Sequence, residues 1–238
     1  MPRVSVVVPV FNEGTRITAF LDRLFPAVTL PCEVLAVYDR PTDSTVEPLT
    51  AYAMGEPRLR PLLNTYGPGP AAALHFGIDH AQSDVVVVTM ADGSDDPNQI
   101  DQLARLVEGG AVIAAASRYM RGGRQMGGPW LKGRMSSLAG RSLHLLGRVG
   151  THDATNSFKA YSREFVATVG IESDAGFTLG IEMIAKAKLR GVRVAEIPTV
   201  WRDRTGGKSN FRVSSWLRRY LTWYLRALRP RWGTPGAR

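Results

Sequence analysis

The chain has 238 residues, 44% of them hydrophobic, which leaves room for one sizeable core or one domain with an appendage. A single cysteine, Cys32, excludes an internal disulfide and a cysteine-based metal cluster, and no apolar run approaches the ~20 residues of a membrane span. Residues 202–238 hold ten of the 30 Lys and Arg but one of the 21 acids, so the net charge of +9 sits in that tail, where an anionic surface or ligand is expected.

Met1-Pro2-Arg3 lacks the layout of a signal peptide and runs straight into Val4 to Val10, a strand pattern. Phe11-Asn12-Glu13-Gly14 reads as a turn, and Ile17, Phe20, Leu21, Leu24 and Phe25 follow at helical spacing. Glu33 to Tyr38 is a second strand, closed by the turn Asp39 to Thr45 with Thr42 or Asp43 as helix N-cap. Leu59 to Leu63 is a third strand, Asn64 to Pro70 a loop, and Ala71 to Ala81 a helix of small residues. Val85 to Val88 reads as a strand buried on both faces. The turn that follows, Thr89 to Pro97, has three carboxylates in five residues: Asp92, Asp95 and Asp96. A helix from about Gln99 to Val107 and a strand from Ala111 to Ala116 complete four rounds of strand and helix. This alternation predicts an α/β fold with a doubly wound, mostly parallel sheet.

In such a sheet the loops after the first, second and fourth strands share one rim, at the strands' C-terminal ends. Those loops carry Glu13, then Asp39 and Asp43, then the acidic turn. Oxygen ligands on a turn suit Mg²⁺ or Mn²⁺, above all when a substrate phosphate completes the shell. The alternative is a polar loop in which Asp95 or Asp96 caps the next helix. No GxGxxG, P-loop, GxSxG elbow or zinc-type His or Cys spacing is present.

Ser117 to Arg124 is a basic, glycine-bearing loop whose positive side chains would face the acidic turn and suit a diphosphate bridged by a metal. Leu131 to Leu146 reads as a helix carrying Lys132, Arg134 and Arg141, and Thr151 to Tyr161 as a polar stretch turning into a strand. Phe177 to Leu189 is an apolar helix with one acid, Glu182, either buried with a partner or functional. Val192 to Val200 is a strand broken by Pro198. His144 and His152 have no recognisable partners and read as structural or surface residues.

The ordered set of these segments resembles the family 2 inverting glycosyltransferases of GT-A fold, and within them the polyprenyl-phosphate (dolichol-phosphate) hexosyltransferases. The carrying segments are Val6 to Glu13, Tyr38-Asp39 with Asp43-Ser44-Thr45, the acidic turn, and Ala116 to Tyr119 with Gly122-Gly123. Asp153 with Ser157 to Tyr161, Gly180-Ile181-Glu182, and Arg202 with Gly206 to Ser209 extend the match to about residues 4–212. The resemblance implies that Pro9, Phe11, Glu13 and Asp39 line the nucleotide pocket, Asp39 accepting from the base. It implies metal ligands at Asp92 and Ser94, with Asp95 or Asp96 as candidate replacement for the family's first aspartate, where Met90 stands. It places Arg118, Arg134 and Arg202 at or near donor diphosphate and acceptor phosphate, with Ser136 or Ser137 and Lys208 on the acceptor phosphate. The loop Gly67 to Pro70 lacks the family's customary basic residue.

The implied enzyme moves a hexose from a nucleotide-diphosphate sugar, of GDP-mannose or UDP-glucose type, to a polyprenyl phosphate, with Mg²⁺ or Mn²⁺ as cofactor. A hydroxyl acceptor would instead need a base, for which Asp95, Asp96 and Asp153 are candidates. A catalytically silent nucleotide-sugar-binding module is a third reading. In the tail, Val213, Trp216, Leu217, Tyr220, Leu221, Tyr224, Leu225 and Leu228 follow helical spacing, with Arg218, Arg219, Thr222, Arg226 and Arg229 on the remaining surface. That pattern suits an interfacial membrane helix or a helix packed on the sheet with its charges solvated. No nucleic-acid-binding pattern accompanies the basic residues. The expectation is a transferase domain over 1–212, a basic amphipathic helix and tail over 213–238, and a cytoplasmic protein peripheral at the membrane face.

Overall fold

The computed structural model describes residues 1–128, 130–174, 176–203 and 213–230, with the backbone alone at 131, 132 and 213–216. Four rounds of strand and helix open the chain: β1 (Val4–Val10), α1 (Arg16–Ala27), β2 (Cys32–Tyr38), α2 (Val46–Gly55), β3 (Leu59–Leu63), α3 (Pro70–Asp79), β4 (Val85–Val88) and α4 (Ile100–Glu108), which a 3-10 turn at Pro97–Gln99 precedes. Then follow β5 (Ile113–Ser117), β6 (Arg124–Met126), α5 (Trp130–Ser142) with a π turn at Leu143–Gly147, β7 (Lys159–Ser162), α6 (Arg163–Val169), α7 (Leu179–Arg190), β8 (Val194–Pro198), β9 (Val200–Arg202) and α8 (Val213–Leu228).

Seven strands form one sheet in the order β3-β2-β1-β4-β7-β5-β8, while β6 and β9 pair separately in parallel. Neighbours in the large sheet are parallel except at β7, which runs antiparallel to both β4 and β5. Its register sets Lys159 opposite both Val88 and Ala115. The loop leading into β7 therefore reaches the same rim as the loops leaving β4 and β5. The sequence pattern marked this strand but not its direction.

Helices cover both faces of the sheet, which is why the central strands are valine runs and do not alternate with polar residues. Val4, Val6 and Val8 face a core shared with α1 and α4, and Val7, Val86 and Val88 face one shared with α3 and α7. Gly77 on α3 lets the helix lie against β1, since a Cβ there would sit 2.4 Å from Val7 Cγ1. The N-cap of α2 is Thr45, not Thr42 or Asp43. Asp43 instead accepts from the amides of Thr45 and Asn12, at 2.8 and 2.9 Å, and so ties the turn after β2 to the turn after β1.

Glu182 proves to be buried with a partner. Its Oε1 lies 2.6 Å from Lys186 Nζ, one helical turn on, and its carboxylate also accepts from the amides of Glu172 and Ser173. This fastens the segment before α7, and α8 then packs on it. Trp223 and Ala227 are buried in the second core, with Tyr220, Tyr224 and Leu228 packed against it. Two tail arginines are engaged with protein rather than simply solvated. Arg219 pairs with Asp174 at 2.7 Å, and Arg226 pairs with Glu172 at 2.8 Å while lying over the Trp223 ring. Leu217, Leu221 and Leu225, four residues apart, remain more than half exposed. Among the described residues no helix is long and apolar enough to cross a membrane.

Candidate active site

The rim begins at the turn after β1. Pro9 is buried in the strand, while Phe11 stands 51% exposed just past it. Asn12 takes a left-handed φ of 52°, which asparagine tolerates better than most residues and which is common at functional turns. The Glu13 amide donates to Thr45 Oγ1 at 2.9 Å, and its carboxylate pairs with Arg16 at 3.1 Å. After β2, Asp39 accepts from Asn64 Nδ2 at 2.8 Å and from the Gly69 amide at 2.7 Å. Gly69 can present that amide because its φ of 107° is open to glycine. Asp39 thus holds the 64–69 loop at the edge of the same opening.

The acidic turn splits its three carboxylates between different tasks. Asp96 caps the 3-10 turn, accepting from the Asn98 amide at 3.1 Å, so the helix-cap reading holds for that residue. Asp92 is half-buried and accepts from the Ser94 amide at 3.0 Å. Asp95 turns inward and is buried. Its Oδ2 accepts from Thr89 Oγ1 at 3.0 Å and from the Met90 amide at 3.2 Å. The Asp95 carboxylate therefore lies against the backbone of Met90, the position where the resemblance expects an aspartate. Burial, and then the Asp92 charge, push the Asp95 carboxyl up to about 7. A buried carboxyl raised by a neighbouring carboxylate is part of an oxygen donor set that a divalent cation would relieve.

Facing this turn is a basic group organised by one buried acid. Asp153 is fully buried and grips Arg118 bidentately: Nε to Oδ2 at 2.7 Å, Nη2 to Oδ1 at 3.0 Å, with the Arg118 amide on Oδ2 at 3.1 Å. Burial favours the neutral acid, but Arg118 outweighs it and holds Asp153 below the ordinary carboxylate range. Burial likewise works against the guanidinium charge, and Asp153 more than restores it. Asp153 is therefore a poor candidate for a general base, contrary to the sequence expectation. Arg118 Nη2 also reaches Ser136 Oγ and Thr155 Oγ1, each at 3.3 Å, while Nη1 donates to none of the described residues.

Lys159, a lone cation in an apolar strand, is fully buried beside this pair and bonds the carbonyls of Ala154 and Asn156. Burial lowers its ammonium to about 8, against the pull of Asp153. The sequence reading passed over Lys159; its signal was a lysine between Phe158 and Ala160. β9 closes the site on the other side, where the Arg202 amide donates to the Ser94 carbonyl at 3.1 Å and brings Arg202 beside the acidic turn.

Not every expected residue converges. Ser136 meets Arg118, but Ser137 lies with Arg134, Met135, Leu138 and Arg141 on a separate open depression of α5. Arg134 is exposed over the Trp130 ring. Lys208 lies outside the described residues. His144 and His152 do have partners: their rings stack at 3.6 Å, and His152 Nδ1 lies 2.6 Å from Glu196 Oε1. Sequence spacing missed this group because its third member comes from the far edge of the sheet.

Residues 5–170 match the family model described as glycosyl transferase family 2. A polyprenol monophosphomannose synthase of Mycolicibacterium smegmatis is 28% identical over 230 residues, covering 90% of this chain and 86% of that protein. An undecaprenyl-phosphate mannosyltransferase of Micrococcus luteus is 28% identical over 215 residues, covering 87% and 86%. A dolichol-phosphate mannosyltransferase of Pyrococcus furiosus is 27% identical, covering 88% of this chain and 59% of its own length. Among solved structures, glucosyl-3-phosphoglycerate synthase of Mycobacterium tuberculosis with Mn²⁺, UDP-glucose and phosphoglyceric acid has a TM-score of 0.72 at 18% identity, covering 96% of this chain and 81% of that one. The fold is the GT-A fold.

Two predictions follow from the buried charges. Asp153→Ala leaves Arg118 unpaired in the interior and is expected to destabilise the protein by about 3–5 kcal/mol in chemical denaturation. An unchanged midpoint would show that the pair does not organise the rim. For Asp95, the folded carboxyl titrates near 7 against an ordinary 3.8, so between those values the native state keeps a proton that the unfolded chain has lost. The resulting stabilisation is complete below the unfolded value and is lost as pH rises through 7. With chelator present, Asp95→Asn should flatten the fall in stability between pH 4 and pH 7, and an identical slope in the variant would refute the assignment.

Proposed function

This chain belongs to glycosyl transferase family 2, and we propose that it transfers a hexose, with inversion, from a nucleotide-diphosphate sugar of GDP-mannose or UDP-glucose type to a polyprenyl phosphate. The observation that carries the reading is one rim on which an acidic turn, Asp92 and Asp95, faces a basic group centred on Arg118 and flanked by Arg202. A diphosphate bridged by a cation matches that division of charge. The M. smegmatis and M. luteus relatives, each matched over most of their length, are named for polyprenyl-phosphate mannosyl transfer, which supports the acceptor class.

In this reading Phe11, Pro9, Glu13 and Asp39 line the nucleotide end. Asp92, Ser94 and Asp95 hold Mg²⁺ or Mn²⁺, with Asp95 taking the part of the aspartate missing at Met90. The ion would carry negative charge developing on the nucleoside diphosphate leaving group. Arg118 keeps its orientation through Asp153 and presents Nη1 to phosphate, and Arg202 adds charge from β9. Ser136, beside Arg118, and Lys208 serve the acceptor phosphate. A phosphate monoester is largely ionised near neutral pH and attacks the anomeric carbon without a dedicated base, which fits an acid such as Asp153 being locked in an ion pair. A hydroxyl acceptor is the second reading, favoured by Asp95, whose carboxyl near 7 is poised for proton transfer.

The acceptor's chain requires a lipid-facing surface. Leu217, Leu221 and Leu225 on α8 and Leu138, Leu145 and Leu146 on α5 and its π turn are all exposed. The two elements are tied by a hydrogen bond of 2.9 Å between Ser142 Oγ and Tyr224 OH. Exposed Arg218 and Arg229 accompany the leucines, and anionic lipid contributes about 1 kcal/mol per basic residue near its surface.

Incubation with labelled GDP-mannose or UDP-glucose, Mn²⁺ and a polyprenyl phosphate should move label into organic solvent. Asp92→Ala should abolish that transfer while the protein stays folded. Label accumulating only in water on a hydroxyl acceptor would establish the second reading, and donor binding without turnover over several metals would identify a silent module. Leu221→Glu combined with Leu225→Glu should reduce co-sedimentation with phosphatidylglycerol vesicles several-fold without altering the circular dichroism. Equal sedimentation would remove α8 from the lipid contact.

A further inference from the structure

Behind the rim, three metal-ligating side chains from distant parts of the sequence come together. His144 lies in the π turn after α5, His152 in the loop before β7, and Glu196 on the edge strand β8. One ligand atom from each lies within 4.8 Å of the other two. The two imidazoles stack with centroids 3.6 Å apart and planes 19° from parallel. Glu196 is held from behind, its Oε2 accepting from Thr151 Oγ1 at 3.0 Å and from the His152 amide at 2.9 Å, while Oε1 points to His152 Nδ1. The cluster is enclosed but reachable, with the His152 side chain 32% exposed and that of Glu196 12%.

We propose that His144, His152 and Glu196 bind one zinc-type divalent ion at a site that shares no residue with the rim turn. The donor set selects the metal. Two imidazole nitrogens and one carboxylate oxygen suit a borderline-soft ion, whereas Mg²⁺ and Ca²⁺ favour all-oxygen shells. Three protein ligands with solvent access leave a fourth position for water. At metal–nitrogen distances near 2.0 Å, tetrahedral ligand atoms lie about 3.3 Å apart, so binding would open the imidazole stack and lengthen the 2.6 Å His152–Glu196 contact through side-chain rotation. The carboxylate is already oriented by hydrogen bonds to its other oxygen, an arrangement that commonly accompanies metal ligands.

A plain His152–Glu196 ion pair does not account for the third member. His144 Nδ1 is buried and has no hydrogen-bond partner among the described residues, a costly state for an isolated polar atom. The π turn also gives a reason for His144 to be where it is. Such turns replace regular helix locally, frequently at functional positions. The close approach that lets α5 meet the His152 loop is made by Gly140, where a Cβ would lie 2.2 Å from the His152 carbonyl oxygen. The ion would clip the end of α5 to the edge of the sheet and hold residues 151–153. The neighbour of His152 is Asp153, which orients Arg118, so the site would brace the rim from behind.

The test uses the tag-free full chain, stripped with chelator and held in excess Mg²⁺ to occupy the oxygen-rich turn. Zn²⁺ is titrated by calorimetry, and Co²⁺ replaces it for absorption spectroscopy. One tight equivalent is expected, with the visible bands of tetrahedral Co²⁺. His144→Ala and Glu196→Gln should each weaken Zn²⁺ binding at least tenfold, and Asp92→Asn should leave it unchanged. Circular dichroism verifies folding of each variant, with His144→Asn as the size-conserving substitute if alanine is not tolerated. The proposal is overturned if the wild type takes up no tight equivalent, if the equivalent survives both ligand substitutions, or if Asp92→Asn removes it.

Discussion

The bidentate pair between Arg118 and Asp153 is the interaction on which the rim depends. It joins the loop leaving β5 to the loop entering β7, and it does so in the interior, where neither charge is stable alone. Buried ion pairs contribute little net stability compared with apolar packing, but they are severe about geometry. Here that severity fixes a guanidinium at the sheet edge with one nitrogen directed away from its partner. Lys159 adds a second buried cation to the same acid, so the β5–β7 side of the rim carries excess positive charge. The β4 side carries the acidic turn.

The antiparallel strand β7 is what brings the two sides together. Had it been parallel, the loop containing Asp153 would lie at the opposite edge of the sheet, about 15 Å away for a strand of this length. Because it is inserted in reverse between β4 and β5, Lys159 stands beside Val88 and Ala115, directly below the acidic turn. This rim therefore gathers loops that leave parallel strands and the loop that enters the antiparallel strand β7.

The last described helix shows how one sequence pattern can serve two surfaces. The spacing from 213 to 228 was compatible with a packed helix or an interfacial one. In the structure Trp223 and Ala227 fill the core while Leu217, Leu221 and Leu225 face outward. Arg219 and Arg226 are held by Asp174 and Glu172, acids from the segment that Glu182 fastens. The helix is thus anchored by protein contacts and leaves a leucine stripe exposed.

The sequence by itself determined the local elements and the parallel half of the sheet, because buried valine runs, helical spacing and turn residues are encoded between near neighbours. It also marked Glu13, Asp39 and Asp92 as residents of one rim, since C-terminal ends of parallel strands share an edge. Only the tertiary structure decided the direction of β7, the capture of Arg118 by Asp153, and the separate fates of Asp95 and Asp96, one turned into the core and one capping a helix. It alone joined His144 and His152 to Glu196. The Arg118–Asp153 and His152–Glu196 pairings join residues 35 and 44 positions apart, whose partners are chosen by packing and by the cost of burying charge, and no local pattern records that choice.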